Sequence, residues 1–135
     1  MNKSTDSVRI VIFDADDAAK FLVLAEADDP ENWKLPGGKF DSVDETPQAA
    51  AERELREELS LSSSGAGMRL ANTLINDDGT SARHIFVAVA RAPHINPSAE
   101  ISGTQWVTEE TMPESINKGH ILSAVALARE TLASR

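Results

Sequence analysis

The chain has 135 residues, 41% hydrophobic and 26% charged, enough for one domain with a buried core and too few for two. No apolar run reaches the roughly 20 residues of a membrane helix, Met1 to Asp6 lack the apolar block of a secretory signal, and there is no cysteine. A cytoplasmic location is therefore expected, and disulfide scaffolds, thiolate zinc sites and cysteine nucleophiles are excluded. Thirteen basic against 22 acidic residues give a net charge of −9, which repels nucleic-acid polymers and anionic membranes, so a phosphate-bearing ligand is expected to arrive with a cation.

Val8 to Phe13 is a β-branched, apolar run closed by Asp14 to Asp17, and Phe21 to Ala25 is a second, so the two predict a hairpin. Trp33-Lys34-Leu35-Pro36-Gly37-Gly38-Lys39 reads as a loop, stiffened by proline and opened by two glycines to close backbone approach. It is not a Walker loop, since Trp33 stands in place of the first glycine and Phe40 in place of the Ser/Thr. Glu45-Thr46-Pro47 opens a helix that runs to Leu59, with Thr46 as cap and Pro47 at the first helical position. Ser60 to Gly67 is a small-residue loop. Arg69 to Ile75, His84 to Ala90 and Gln105 to Val107 predict strands, with Asn76-Asp77-Asp78-Gly79 turning between the first two and a Pro-punctuated loop over Ala92 to Ala99. From about Ile121 to Ala133, Ile121, Val125, Ala128 and Leu132 recur at helical spacing. Strands around two helices without regular alternation predict an α+β fold, a mixed sheet packed between helices.

The first helix breaks an ordinary rule. Ala51, Leu55 and Leu59 form its apolar stripe, while Glu54, Glu57 and Glu58 share a neighbouring arc of roughly 100°. Like charges at this spacing cost about 0.2 to 0.5 kcal/mol per pair, and acids in the last turn oppose the helix dipole. Glu52 and Arg56, on another face, have the favourable order. Three glutamates alone would read as a wet face. Behind a Gly-Gly segment they suggest hard oxygen ligands for Mg²⁺ or Mn²⁺, whereas His84, His94 and His120 are too scattered to suggest zinc.

Gly38 to Leu61 resembles the Nudix box, G-x5-E-x7-R-E-U-x-E-E-x-G-U with U aliphatic. Glu45, Arg53, Glu54, Leu55, Glu57, Glu58 and Leu61 fall on its fixed positions, and Leu35-Pro36-Gly37-Gly38 is the usual lead-in. Two departures stand out: six residues instead of five separate Gly38 from Glu45, and Ser60 replaces the last glycine. The resemblance implies a single Nudix hydrolase domain over residues 1–135, folded as an α/β/α sandwich. It implies cleavage of a diphosphate linkage by water, with Gly38, Glu54, Glu57 and Glu58 as metal ligands. Arg53 would orient the glutamates with Glu45 as its partner, and the general base would be Glu57, or Glu100 as second choice.

Lys39 is a candidate phosphate contact or a solvated loop lysine, and Trp33 a candidate for stacking on a base or packing beneath the loop. Among relatives of this kind, many dinucleoside polyphosphate members carry a tyrosine after the box and many ADP-ribose members a nearer proline. Here there is no tyrosine, and the first later proline is Pro93. Leu35-Pro36-Gly37-Gly38 also differs from the Gln-Gly-Gly form of RNA-end pyrophosphohydrolases. A nucleoside triphosphate, cut to a monophosphate and pyrophosphate, is the expected substrate. A Nudix-like domain that binds or senses a nucleotide without hydrolysis is the competing class. The resemblance admits a homodimer, while the residues leave the oligomeric state open.

Overall fold

A computed structural model of the chain describes residues 6–62, 68–75 and 79–133. The first five residues of the segment read for a signal, residues 63–67 of the small-residue loop, and Asn76, Asp77 and Asp78 of the expected turn lie outside the described residues. In chain order the described elements are β1 (Ser7–Asp14), β2 (Asp17–Glu26), β3 (Asp29–Lys34), β4 (Gly37–Lys39), α1 (Pro47–Leu59), β5 (Arg69–Ile75), β6 (Ala82–Ala90), β7 (Ile101–Val107) and α2 (Lys118–Ala133). Among the described residues, no helix is long and apolar enough to cross a membrane.

The sheet runs β3-β2-β1-β6-β5, with β4 paired to β1 and β7 paired to β2. β1 and β6 are parallel, from Ser7 opposite Arg83 to Asp14 opposite Ala90, and the other pairs are antiparallel. The pleat sends Val8, Ile10 and Ile12 of β1, with Phe86 and Ala88 of β6, against Ala50, Ala51, Leu55 and Leu59 of α1. It sends Val11, Phe13, Ile85 and Val87 the other way, against Ile121, Ala124, Val125 and Ala128 of α2. A helix covers each face, which is why the β1 run is continuously apolar rather than alternating. The expected sandwich, the β1–β2 hairpin and the stripe Ala51, Leu55 and Leu59, each fully buried, are all present.

Several boundaries differ from the sequence expectation, among them the starts of β2 at Asp17 rather than Phe21 and of β6 at Ala82 rather than His84. The segment read as a loop holds the end of β3 and all of β4: β3 pairs with β2 (Leu24 opposite Lys34), and β4 pairs with the start of β1 (Val8 opposite Gly38). Neither carries an alternating apolar pattern, so their pairing is imposed by the buried strands beside them. β7 begins at Ile101 rather than Gln105, where Ser102 and Gly103 hide the period, and a Cβ on Gly103 would touch the Trp33 ring at 3.4 Å. α2 begins at Lys118, three residues before its apolar stripe.

α1 starts and stops as its caps dictate. Thr46 Oγ1 accepts the Ala49 N–H at 3.1 Å, and Pro47 occupies the first turn. At the other end Ser60 is left-handed (φ 56°, ψ 34°), the Ser60 N–H donates to the Arg56 carbonyl and the Leu61 N–H to the Leu55 carbonyl. The missing glycine of the box is thus replaced by a serine bearing the left-handed turn itself. Ser60→Gly should stabilise the protein by about 1 kcal/mol, raising Tm by roughly 3 to 5 °C. A thermal melt in which the variant unfolds at or below the wild-type temperature would contradict this.

Candidate active site

Pairing of β4 with β1 lays Gly37 and Gly38 along α1. Gly37 has φ 140°, and a Cβ there would lie 2.1 Å from the Val8 carbonyl oxygen, so only glycine fits. Its N–H donates to Glu58 Oε1 at 2.9 Å. A Cβ on Gly38 would fall 2.8 Å from Glu54 Oε1. The Gly-Gly pair therefore provides close approach of backbone to carboxylate.

Arg53 gathers the rest. Its Nε donates to Glu45 Oε2 at 2.8 Å and stands 3.0 Å from Asp41 Oδ2, while Nη2 donates to Glu45 Oε1 at 3.1 Å and to the Lys39 carbonyl at 3.0 Å. Nη1 donates to Glu54 Oε1 at 2.8 Å and to Glu57 Oε1 at 3.1 Å. The hydrogen bond from Arg53 holds the Glu45 carboxyl below its ordinary pKa, and those carboxylates hold the guanidinium above its own. Between Gly38 and Glu45 the chain makes an exposed turn at 42–45, closed by Glu45 N–H to the Ser42 carbonyl. Gly38 and Glu45 both meet side chains of the helix, Glu54 and Arg53.

Glu54 and Glu58 are buried beside the apolar stripe, at 9% and 8% exposure. Burial pushes the Glu58 carboxyl up to about 7, with the nearby Glu54 charge adding to it against the Gly37 N–H, Lys34 and Arg9. Burial also raises Glu54, opposed by its hydrogen bond from Arg53. The Glu57 side chain, by contrast, is 54% exposed. As they stand, Arg53 Nη1 lies between Glu54 and Glu57 and Glu58 turns to Gly37, so among the described residues no three acidic or histidine side chains form a ready metal cage.

The other expected residues are placed as follows. Lys39 is exposed, with its carbonyl on Arg53. Trp33 is half-buried and packs into the α2-side core, its carbonyl accepting from Ser115 Oγ and Asn117 Nδ2. Glu100 is exposed in a turn, and its loop is tied to the end of α1 by Ser98 N–H to the Glu58 carbonyl and Asn96 N–H to the Leu59 carbonyl. Glu52 takes a hydrogen bond from Gln48 at 3.0 Å. Sequence reasoning missed Asp41 and Arg9. Asp41 looked like any loop acid, and Arg9 sits inside an apolar strand where the only signal was its interruption of the pattern.

The fold and the arrangement of Gly38, Glu45, Arg53, Glu54, Glu57 and Glu58 together define a Nudix-type domain. The family model described as NUDIX domain matches residues 3–128, and the chain belongs to that family. Among solved structures, it is similar to the NUDIX domain of Shewanella oneidensis NrtR complexed with ADP ribose (TM-score 0.71, 22% identity, 98% of this chain and 90% of that one). It is also similar to an ADP-ribose pyrophosphatase from Streptococcus suis (0.69, 21%, 96% and 91%) and to the E. coli dihydroneopterin triphosphate pyrophosphohydrolase (0.64, 20%, 98% and 94%). No curated protein sequence matches the chain.

The raised Glu58 pKa has a sign that can be tested. A carboxyl whose folded pKa exceeds its unfolded value binds its proton more tightly when folded, so its contribution to stability is present below about pH 4.5 and is lost as pH rises toward 7. Glu45 and Glu109, held low by Arg53 and Arg129, act in the opposite sense at more acidic pH. In metal-free protein, stability measured by urea unfolding should fall between pH 5 and pH 7.5 by up to about 3 kcal/mol. Glu58→Gln should remove most of that fall, and an unchanged slope in the variant would refute the assignment.

Proposed function

We propose that the chain is a Mg²⁺-dependent hydrolase, with Mn²⁺ as a substitute, that cleaves the diphosphate linkage of a nucleoside diphosphate derivative. A nucleoside triphosphate, released as monophosphate and pyrophosphate, is the preferred substrate class. The observation that carries this reading is the pair of buried carboxylates, Glu54 and Glu58, set against the Gly37–Gly38 backbone with exposed Glu57 beside them. Two buried acids with raised pKa values want a positive partner, and an all-oxygen donor set suits a hard divalent cation. Glu54, Glu57, Glu58 and the Gly38 carbonyl would hold it. A cation so held neutralises phosphate charge and acidifies a bound water.

The protein groups then divide the work. Arg53 fixes Glu54 and braces the helix against Glu45 and the Lys39 carbonyl. Glu57, exposed and anchored through one oxygen only, is free to turn from Arg53 toward the reacting water and take its proton. Lys39, exposed next to Gly38, would meet a substrate phosphate. The second reading, binding without hydrolysis, draws on the likeness to the ADP-ribose complex of the NrtR domain, and the complete acidic set speaks against it.

Turnover of a nucleotide panel with Mg²⁺ and with EDTA separates the two readings, since nucleotide binding with no cleavage of any member would establish the second. Glu57→Gln should lower kcat by roughly 10² to 10⁴, as expected for a removed general base. Glu100→Gln should cost less than about tenfold, because its carboxylate rides on an exposed turn rather than on a rigid helix. A loss beyond a hundredfold at saturating Mg²⁺ would transfer the role to Glu100.

A further inference from the structure

On the α2 side of the sheet a cavity of about 70 Å³ is lined by Arg9, Lys34 and Arg83, with Asn117, His120 and Ile121 at the start of α2. Arg9 Nη1 donates to the Leu35 carbonyl at 3.1 Å, and Arg83 Nη1 lies 3.0 Å from His120 Nδ1. Among the described residues neither arginine is in an ion pair with a carboxylate, while Lys34 pairs with Glu26. In a chain with 22 acids to 13 bases, two arginines without an acidic partner in one cavity need a reason. The acids whose field reaches Arg9 are Glu58 and Glu54, the same groups assigned above to cations, and they act on Lys34 beside its partner Glu26. With cations bound there, the cavity is left more positive.

Size narrows the occupant. Pockets for whole small ligands run to roughly 300 to 1,000 Å³, whereas the core of this one is of a size suited to one oxyanion. A wider depression of about 330 Å³ shares Arg83 and His120 and leaves room for the rest of a ligand. We infer that this cavity binds a phosphate group of the substrate other than the diphosphate held at Glu54, Glu57 and Glu58. The inference rests on the hydrolytic reading for the identity of that substrate, and on the cavity alone for its affinity toward phosphate.

The test starts with the full chain in EDTA, titrated with inorganic phosphate and followed by amide resonances. Saturable shifts centred on Arg9, Lys34, Arg83 and His120 are expected, weakened about tenfold or more by Arg83→Gln and partly restored by Arg83→Lys. Absence of saturable binding, shifts centred on Gly38 and α1, or affinity untouched by Arg83→Gln would overturn the inference. The Arg83 guanidinium meets the exposed His120 ring, whereas that of Arg9 holds the Leu35 carbonyl, so Arg83→Gln should fold even where Arg9→Gln does not. The second arm compares, with Mg²⁺, nucleotides with and without an additional phosphate on the sugar. Arg83→Gln should raise KM about tenfold for the first alone and leave kcat within about twofold. If free phosphate binds but this KM does not move, the cavity serves free phosphate and the substrate assignment fails. If no nucleotide is cleaved, the hydrolytic reading fails while the phosphate titration still decides the cavity, and nucleotide affinities replace KM in the comparison.

Discussion

The site depends first on one guanidinium. Arg53 uses its fork of N–H donors to reach a loop acid (Glu45), a strand carbonyl (Lys39) and two acids of its own helix (Glu54 and Glu57), so three chain segments meet at a single planar group. An ammonium could not span these partners in one plane. Because the join fixes β4 against α1, it also fixes where Gly37 and Gly38 approach the carboxylates. The repulsion among the three glutamates is correspondingly reduced: two share Arg53, and the third accepts the Gly37 N–H. What remains is the desolvation of Glu54 and Glu58, visible in their raised pKa values. A structural helix would relieve this strain by exposing those acids, and here Leu55 and Leu59 beside them keep them in.

Much of this was legible in the sequence, and the reasons differ by element. β1, β6 and α1 announced themselves because a sheet covered on both faces leaves long apolar runs, and because Thr46-Pro47 is a capping signal that local chemistry alone enforces. Ser60 was recognisable as a left-handed exit only because a glycine was expected there. β3 and β4 stayed hidden because backbone pairing, which leaves no mark on residue type, makes them strands. Side-chain periodicity placed the three glutamates on one arc, yet it could not say that Glu54 and Glu58 would be buried and Glu57 exposed. That division is set by where β4 lies, and β4 lies where β1 puts it.

The same strand pair separates the charges of the molecule. Along Leu35 to Gly38 the backbone gives its carbonyls to one side, Leu35 to the Arg9 guanidinium and Pro36 to the Ile10 N–H, and at Gly37 turns an N–H to Glu58. Arg9 and Gly37 are register partners across β1 and β4, so the strand pair that brings Arg9 to the basic cavity also brings the Gly37 N–H to Glu58. Among the described residues no ion pair joins Arg9 to Glu54 or Glu58. Under the functional reading proposed above, each field would be satisfied from outside, the acids by cations and the arginines by an anion. On that reading a chain of net charge −9 would attract a polyanion without a basic surface, because the attraction would be confined to a site where both kinds of partner arrive together.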